Sequence, residues 1–214
     1  MSITELLSPA EALTVPRLIR PQHVGGQNTW EHLVQSGALR RLYGTFAIAV
    51  DEETDPELRA QAIGGFLPGA LTGHRPLYVG GLAAAWIRCG GQAPAEIDLI
   101  CQFGRTRPYF ESTILHSGTY MKAELGMIAG ILVTVPERTI ADLALWYEPE
   151  IAVPPILELL RFGASLRVAA LSLERRRRAV GRPRARATLA AATEALLSFG
   201  TRDAVHVKNA INFT

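Results

Sequence analysis

Residues 133–145, VTVPERTIADLAL, change from a short apolar run to helical spacing across a proline, which predicts a strand, a sharp turn and a helix. Arg138 and Asp142 stand four residues apart, so guanidinium and carboxylate share one helix face and can pair. Thr134 and Thr139 offer hydroxyls to the free amides at the helix start, and Pro136 suits its first position. Upstream, Ser2 with Glu5 and Ser8 with Glu11 fit overlapping capping boxes, before Pro16 and Pro21 interrupt any long helix. Gly25-Gly26 marks a turn. A short helix, TWEHLVQS, then begins with Asn28 or Thr29 as its cap and stops at Gly37. Trp30, Leu33 and Val34 fall on one face of it, with Glu31, His32 and Gln35 on the other. In ALRRLYGTFAIAV, two β-prone runs flank Tyr43-Gly44 and predict a hairpin.

The rest alternates between the two periodicities. Helices are expected at 53–66 and 81–89, strands at 96–103, 109–116 and 128–135, and a turn at 105–108. Residues 136–146, 155–171, 172–180 and 188–199 read as helices, with Gly181-Arg182-Pro183 as an interruption. No repeat of fixed period occurs. The pattern is that of an α+β protein.

Composition narrows the class. With 48% hydrophobic and 20% charged residues the chain is globular rather than disordered. It has no run of about 18 apolar residues and no basic start followed by an apolar stretch, so neither a membrane span nor a signal peptide is expected. Cys89 and Cys101 make neither a disulfide framework nor a zinc site, and the cytoplasm is the simplest compartment. The net charge of +2 decides nothing, but its distribution does. Residues 51–57 hold five acids, whereas 161–186 hold nine arginines against Glu174 alone, a patch that could meet phosphate.

A short helix ending in Ser-Gly, followed by a hairpin carrying Arg40 and Arg41, is also the sequence pattern of a winged helix-turn-helix. The ordered set SGALRRLYGTFAIA, AAAWIRCGG with EIDLICQ, GRTRP and GILVTVPERTIADLA resembles the actinobacterial AbiEi-type antitoxins of type IV toxin–antitoxin systems. The ending DAVHVKNAINF is similar to that group too, so the resemblance covers about 28–147 and 203–214. It implies a winged-helix module at 1–52 and an antitoxin domain at 53–214. The implied function is repression of the chain's own operon, through operator DNA, and protection against a co-encoded nucleotidyltransferase toxin without a stable complex. Carried onto this chain, the recognition helix is 29–36 and the wing 39–50. DNA would be met by Asn28, Thr29, His32, Gln35, Arg40, Arg41 and Tyr43, with Arg175, Arg176, Arg177, Arg178, Arg182, Arg184 and Arg186 as an auxiliary basic surface. No catalytic residue, metal or cofactor is expected. Pro9, Pro16 and Pro21 leave little room for two regular helices before Thr29, so an abbreviated winged helix is expected.

The rival signal is Gly80-Gly81 followed by Glu96-Ile97-Asp98. Polymerase-β-type nucleotidyltransferases place a Gly-Gly helix start before two strand acids spaced i, i+2, which share a face and hold Mg²⁺. Here the strand expected to supply a third carboxylate, ILVTV, is uncharged, and two solvent-facing acids on an edge strand are the plainer reading. A nuclease of the acid–x–Lys type lacks its lysine after Asp98, no G-x-S-x-G elbow exists, and His116-Ser117 reads as a strand end. The histidines show no i, i+4 pair for zinc. VGRPR shares only Gly-Arg-Pro with minor-groove hooks. Trp86 and Trp146 read as core, and Arg138–Asp142 as structural. A module that has lost DNA binding and only contacts partners is the remaining alternative.

Overall fold

The computed structural model describes residues 16–67, 69, 71, 77–102, 110–176 and 179–200, with backbone only at 199 and 200. The capping boxes before Pro16, the turn at 105–108, Arg177, Arg178 and the ending DAVHVKNAINF lie outside the described residues. The chain divides into two compact units, Met1–Glu53 and Thr54–Thr214. The fold is α+β: seven α-helices and two sheets among the described residues.

In the first unit a 3-10 turn at Pro21–His23 leads to α1 (Gln27–Gln35) and the antiparallel hairpin β1 (Leu39–Tyr43) and β2 (Phe46–Ala49). Ile19 joins β2 as a third, one-residue strand, exchanging both backbone hydrogen bonds with Ala47 at 2.7 and 2.9 Å. One core cluster joins Trp30, Ile19, Leu39 and Ala47, with Val24, Leu33 and Val34 against them, and Leu42, Tyr43, Phe46 and Ile48 are buried as well. The indole N–H of Trp30 donates to the Ile19 carbonyl at 3.4 Å, which ties α1 to that strand. The expected cap at Asn28 or Thr29 is not used. Gly26, at φ +117°, precedes the helix and no side chain caps it. The two glycines take left-handed angles that let the chain turn straight into α1.

The second unit has a five-stranded mixed sheet, built from β3 (Tyr78–Val79), β4 (Ile97–Gln102), β5 (Thr113–Gly118), β6 (Leu125–Ile128) and β7 (Ile131–Thr134). The order is β5-β4-β3-β7-β6, parallel between β4 and β5 and between β3 and β7, antiparallel elsewhere. The helices are α2 (Pro56–Phe66), α3 (Gly81–Cys89), α4 (Pro136–Trp146), α5 (Pro149–Arg161), α6 (Leu166–Arg175) and α7 (Arg182–Gly200). Asp55 starts α2 by accepting from the Leu58 amide at 2.7 Å. One core cluster joins α3 to α4, α5, α6 and α7 through Ala85, Ile140, Leu143, Ile156, Leu159, Leu173 and Leu189. Among the described residues no helix is long and apolar enough to cross a membrane.

Three expected elements are revised. The strand expected at 128–135 is present but shorter, as β7, because Ala129 and Gly130, at φ +47° and +81°, turn the chain into it from β6. The break among the late helices falls at 162–165, where Gly163 is left-handed and Ser165 accepts from the Val168 amide. The last helix starts at Arg182, since Pro183 sits in its first turn, where no amide is needed.

Candidate nucleic-acid interface

Asn28, Thr29, His32 and Gln35 are all exposed on α1, at spacings that place them on one face opposite buried Trp30. The ribbon follows three residues later. A register shift between Arg41 and Tyr43 breaks the strict alternation of β1, so Arg40 and Arg41 are both exposed while Leu42 and Tyr43 are both buried. Tyr43 was expected among the DNA contacts. It is 7% exposed and belongs to the core, so it does not share their surface.

The arginines are partly engaged. Arg41 pairs with Glu31 of α1 at 2.5 Å and lies 4.5 Å over the Trp30 ring, while Arg40 donates to the Glu52 carbonyl at 3.1 Å. Arg17 pairs with Glu52 at 2.6 Å. Arg20, which the sequence pattern does not single out, lies over the Phe46 ring at 5.3 Å and adds a cation beside the ribbon. Only the fold brings it there, since Arg20 and Phe46 meet through the Ile19–Ala47 pairing. Residues 16–53 hold four arginines and four acids, so the phosphate-seeking charge is local to Arg20 and Arg40 rather than spread over the unit.

The auxiliary surface is not a continuous free patch. Arg186 makes a two-pronged pair with Glu174 at 2.7 Å, Arg182 stands 3.7 Å from the same carboxylate, and Arg184 is taken by Glu148 and the Leu145 carbonyl. Arg176 turns inward to Asp142 at 2.5 Å. Burial pulls its pKa below the usual guanidinium value, against the opposing attraction of Asp142. Arg175 is exposed at the end of α6.

Arg138 and Asp142 form a structural hub. The Arg138 guanidinium donates to both Asp142 oxygens at 3.0–3.1 Å, to the Thr119 carbonyl at 3.0 Å and to Glu124 at 2.9 Å. Ser172 donates to the other Glu124 oxygen at 2.7 Å. Thr134 and Thr139 bond each other at 2.7 Å, and Thr139 also donates to the Val135 carbonyl at 3.0 Å, so the helix amides are not capped by them.

Asp98 overturns the reading of an exposed pair on an edge strand. It is fully buried on β4, between β5 and β3, while Glu96 is exposed before the strand begins. One Asp98 oxygen accepts from the Leu82 amide at the start of α3 at 2.8 Å. The other meets His116 Nε2 and the Tyr147 hydroxyl, each at 2.7 Å. Burial, followed by the Asp98 charge, pushes the Tyr147 phenol above its usual value. Gly81, at φ +50°, lies so close that a Cβ there would collide with the carboxylate. His116 is interior to β5 and stacks on Trp146 at 3.5 Å. The strand beside β4 is thus β5, not the uncharged ILVTV strand, and it brings a histidine to Asp98 rather than a third carboxylate. Among the described residues no three His, Cys, Asp or Glu side chains stand together as a metal site. With both oxygens occupied, Asp98 locks α3, β5 and α4 together.

No protein-family model matches the chain, and no curated protein matches it.

Proposed function

We propose that this chain is a cytoplasmic DNA-binding regulator of the AbiEi antitoxin type, which represses its own operon and counters a co-encoded nucleotidyltransferase toxin without a stable complex. The observation that carries the reading is the exposed stripe Asn28, Thr29, His32 and Gln35 on a helix pinned from behind by Trp30 and followed directly by a ribbon bearing Arg40 and Arg41. A helix presenting short polar side chains suits base edges in a major groove, and ribbon arginines suit the flanking phosphates. The ordered motifs shared with the AbiEi group supply the antitoxin part.

The test is a gel shift on the DNA upstream of the chain's own reading frame. His32→Ala with Gln35→Ala is expected to weaken the preferred sequence about tenfold or more and to leave other DNA little changed. Arg40→Ala with Arg41→Ala weakens all sequences alike and lowers the salt slope by about one to two. Unchanged affinity in both variants sinks the assignment. The even balance of arginines and acids in residues 16–53 favours a second reading, an interaction module indifferent to DNA. Protection against the toxin by a chain that binds no DNA would select it.

A further inference from the structure

The ribbon divides the arginines around it between its two faces. Successive strand residues point to opposite sides, and β1 keeps that alternation from Leu39 to Arg41, ahead of its register shift. Leu39 belongs to the Trp30 cluster and Arg41 lies over the Trp30 ring, so both stand on the α1 side. Arg40 therefore points the other way, where the Glu52 carbonyl holds it. Arg20 is turned the same way as Arg40. Ile19 before it packs with Trp30, and the Phe46 ring that it covers precedes Ala47 of the same cluster. The two freer cations thus face away from the helix, and Arg41 is the ribbon arginine that borders it.

Arg41 reaches that border as half of an ion pair. Its Nη2 donates to Glu31 at 2.5 Å, and among the described residues the guanidinium has no other hydrogen-bond partner. Glu31 is three residues after Asn28 and four before Gln35, so it edges the polar stripe of α1. Its second oxygen accepts from Gln27 at 2.8 Å, which fixes the carboxylate in place.

We propose that Glu31 is a built-in competitor of DNA: it occupies Arg41 in the free protein, and a phosphate at the flank of α1 takes the guanidinium from it. The inference rests on the DNA reading above and narrows it, since Arg40 takes no part. Carboxylate and phosphate ask for the same planar fork of donors. A guanidinium that kept Glu31 while meeting phosphate would hold two anions side by side, so binding breaks the pair. No base edge enters this exchange, and Glu31 lowers the affinity for every sequence by the same factor.

Gel shifts at several salt concentrations test it, on the DNA upstream of the chain's own reading frame and on an unrelated duplex of equal length. Arg40→Ala is expected to bind as the wild type does. Arg41→Ala alone carries the loss of the paired variant, with the salt slope lower by about one. Glu31→Gln keeps the shape of the side chain and is expected to tighten both duplexes about threefold or more. In the Arg41→Ala background the same change gives a smaller gain, because no pair is left to break. An equal gain in both backgrounds means that Glu31 acts by its field alone and overturns the proposal. So does a Glu31→Gln protein that binds no tighter, or a loss that follows Arg40. A wild type that shifts neither duplex removes the DNA reading and this inference with it, whereas the other adverse outcomes strike the inference alone.

Discussion

Asp142 is fully buried between two arginines, Arg138 and Arg176, and its charge is what allows both to be there. Removing one partner of a buried ion pair strands the other, at a cost of about 3–5 kcal/mol. Asp142→Asn is therefore expected to lower the denaturant midpoint sharply without changing the slope, and a loss below about 1 kcal/mol would show that the network is dispensable. Half of this hub was legible in the sequence. The i, i+4 spacing gave the pair Arg138–Asp142, but Arg176 lay in a run of four arginines that reads as a solvated face. Nothing local distinguishes the one that turns inward. Asp98 was illegible for a related reason. A strand acid reads as exposed until the neighbouring strands are known, and here they supply His116 on one side and the start of α3 on the other.

Elements were legible where a local device marks them. Gly37 stops α1, Pro136 starts α4, and the two glycines after Cys89 end α3. Devices misread as obstacles moved the boundaries. Pro149 begins α5 and Pro154 with Pro155 continue inside it, whereas a helix beginning at 155 takes the prolines as its edge. Ser165 was the true sign of the next helix. The cap on α2 offers a clean check of how far such devices matter. Asp55→Ala removes the acceptor for the Leu58 amide and is expected to cost about 1 kcal/mol in chemical denaturation. Asp55→Asn, which keeps an acceptor, should lose much less, and equal losses would deny the cap its role.

Across the whole molecule, the acids that join elements set the response to pH. Glu124 sits before β6 and meets α4 through Arg138 and α6 through Ser172. Burial works to raise its pKa but is outweighed by the Met121 amide, Ser172, Arg138 and Arg176, so the folded value lies below the usual one. Its contribution is then present above the unfolded glutamate pKa, about 4.3, and is lost as pH falls through the lower folded value. Glu124→Gln is expected to be less stable than wild type near neutrality, with the gap closing as the solution becomes more acid. A gap that is constant with pH would mean that the charge of Glu124 is not what joins these elements. The class of the fold was legible from alternating periodicities, and its sheet order was not. The strand expected at 128–135 holds β7, but its antiparallel partner β6 precedes it across the left-handed pair Ala129-Gly130, and the apolar run alone does not show that turn.

The face-to-face contact of His116 with Trp146 has an optical consequence. An imidazole stacked on an indole drains the excited state of that ring, so Trp146 should emit less in the native chain than it would without the contact. His116→Leu is expected to brighten the native emission, and an intensity unaffected by that change would place the quencher elsewhere. The chain thus carries its own lamp on the Asp98 junction, readable in a cuvette without any label.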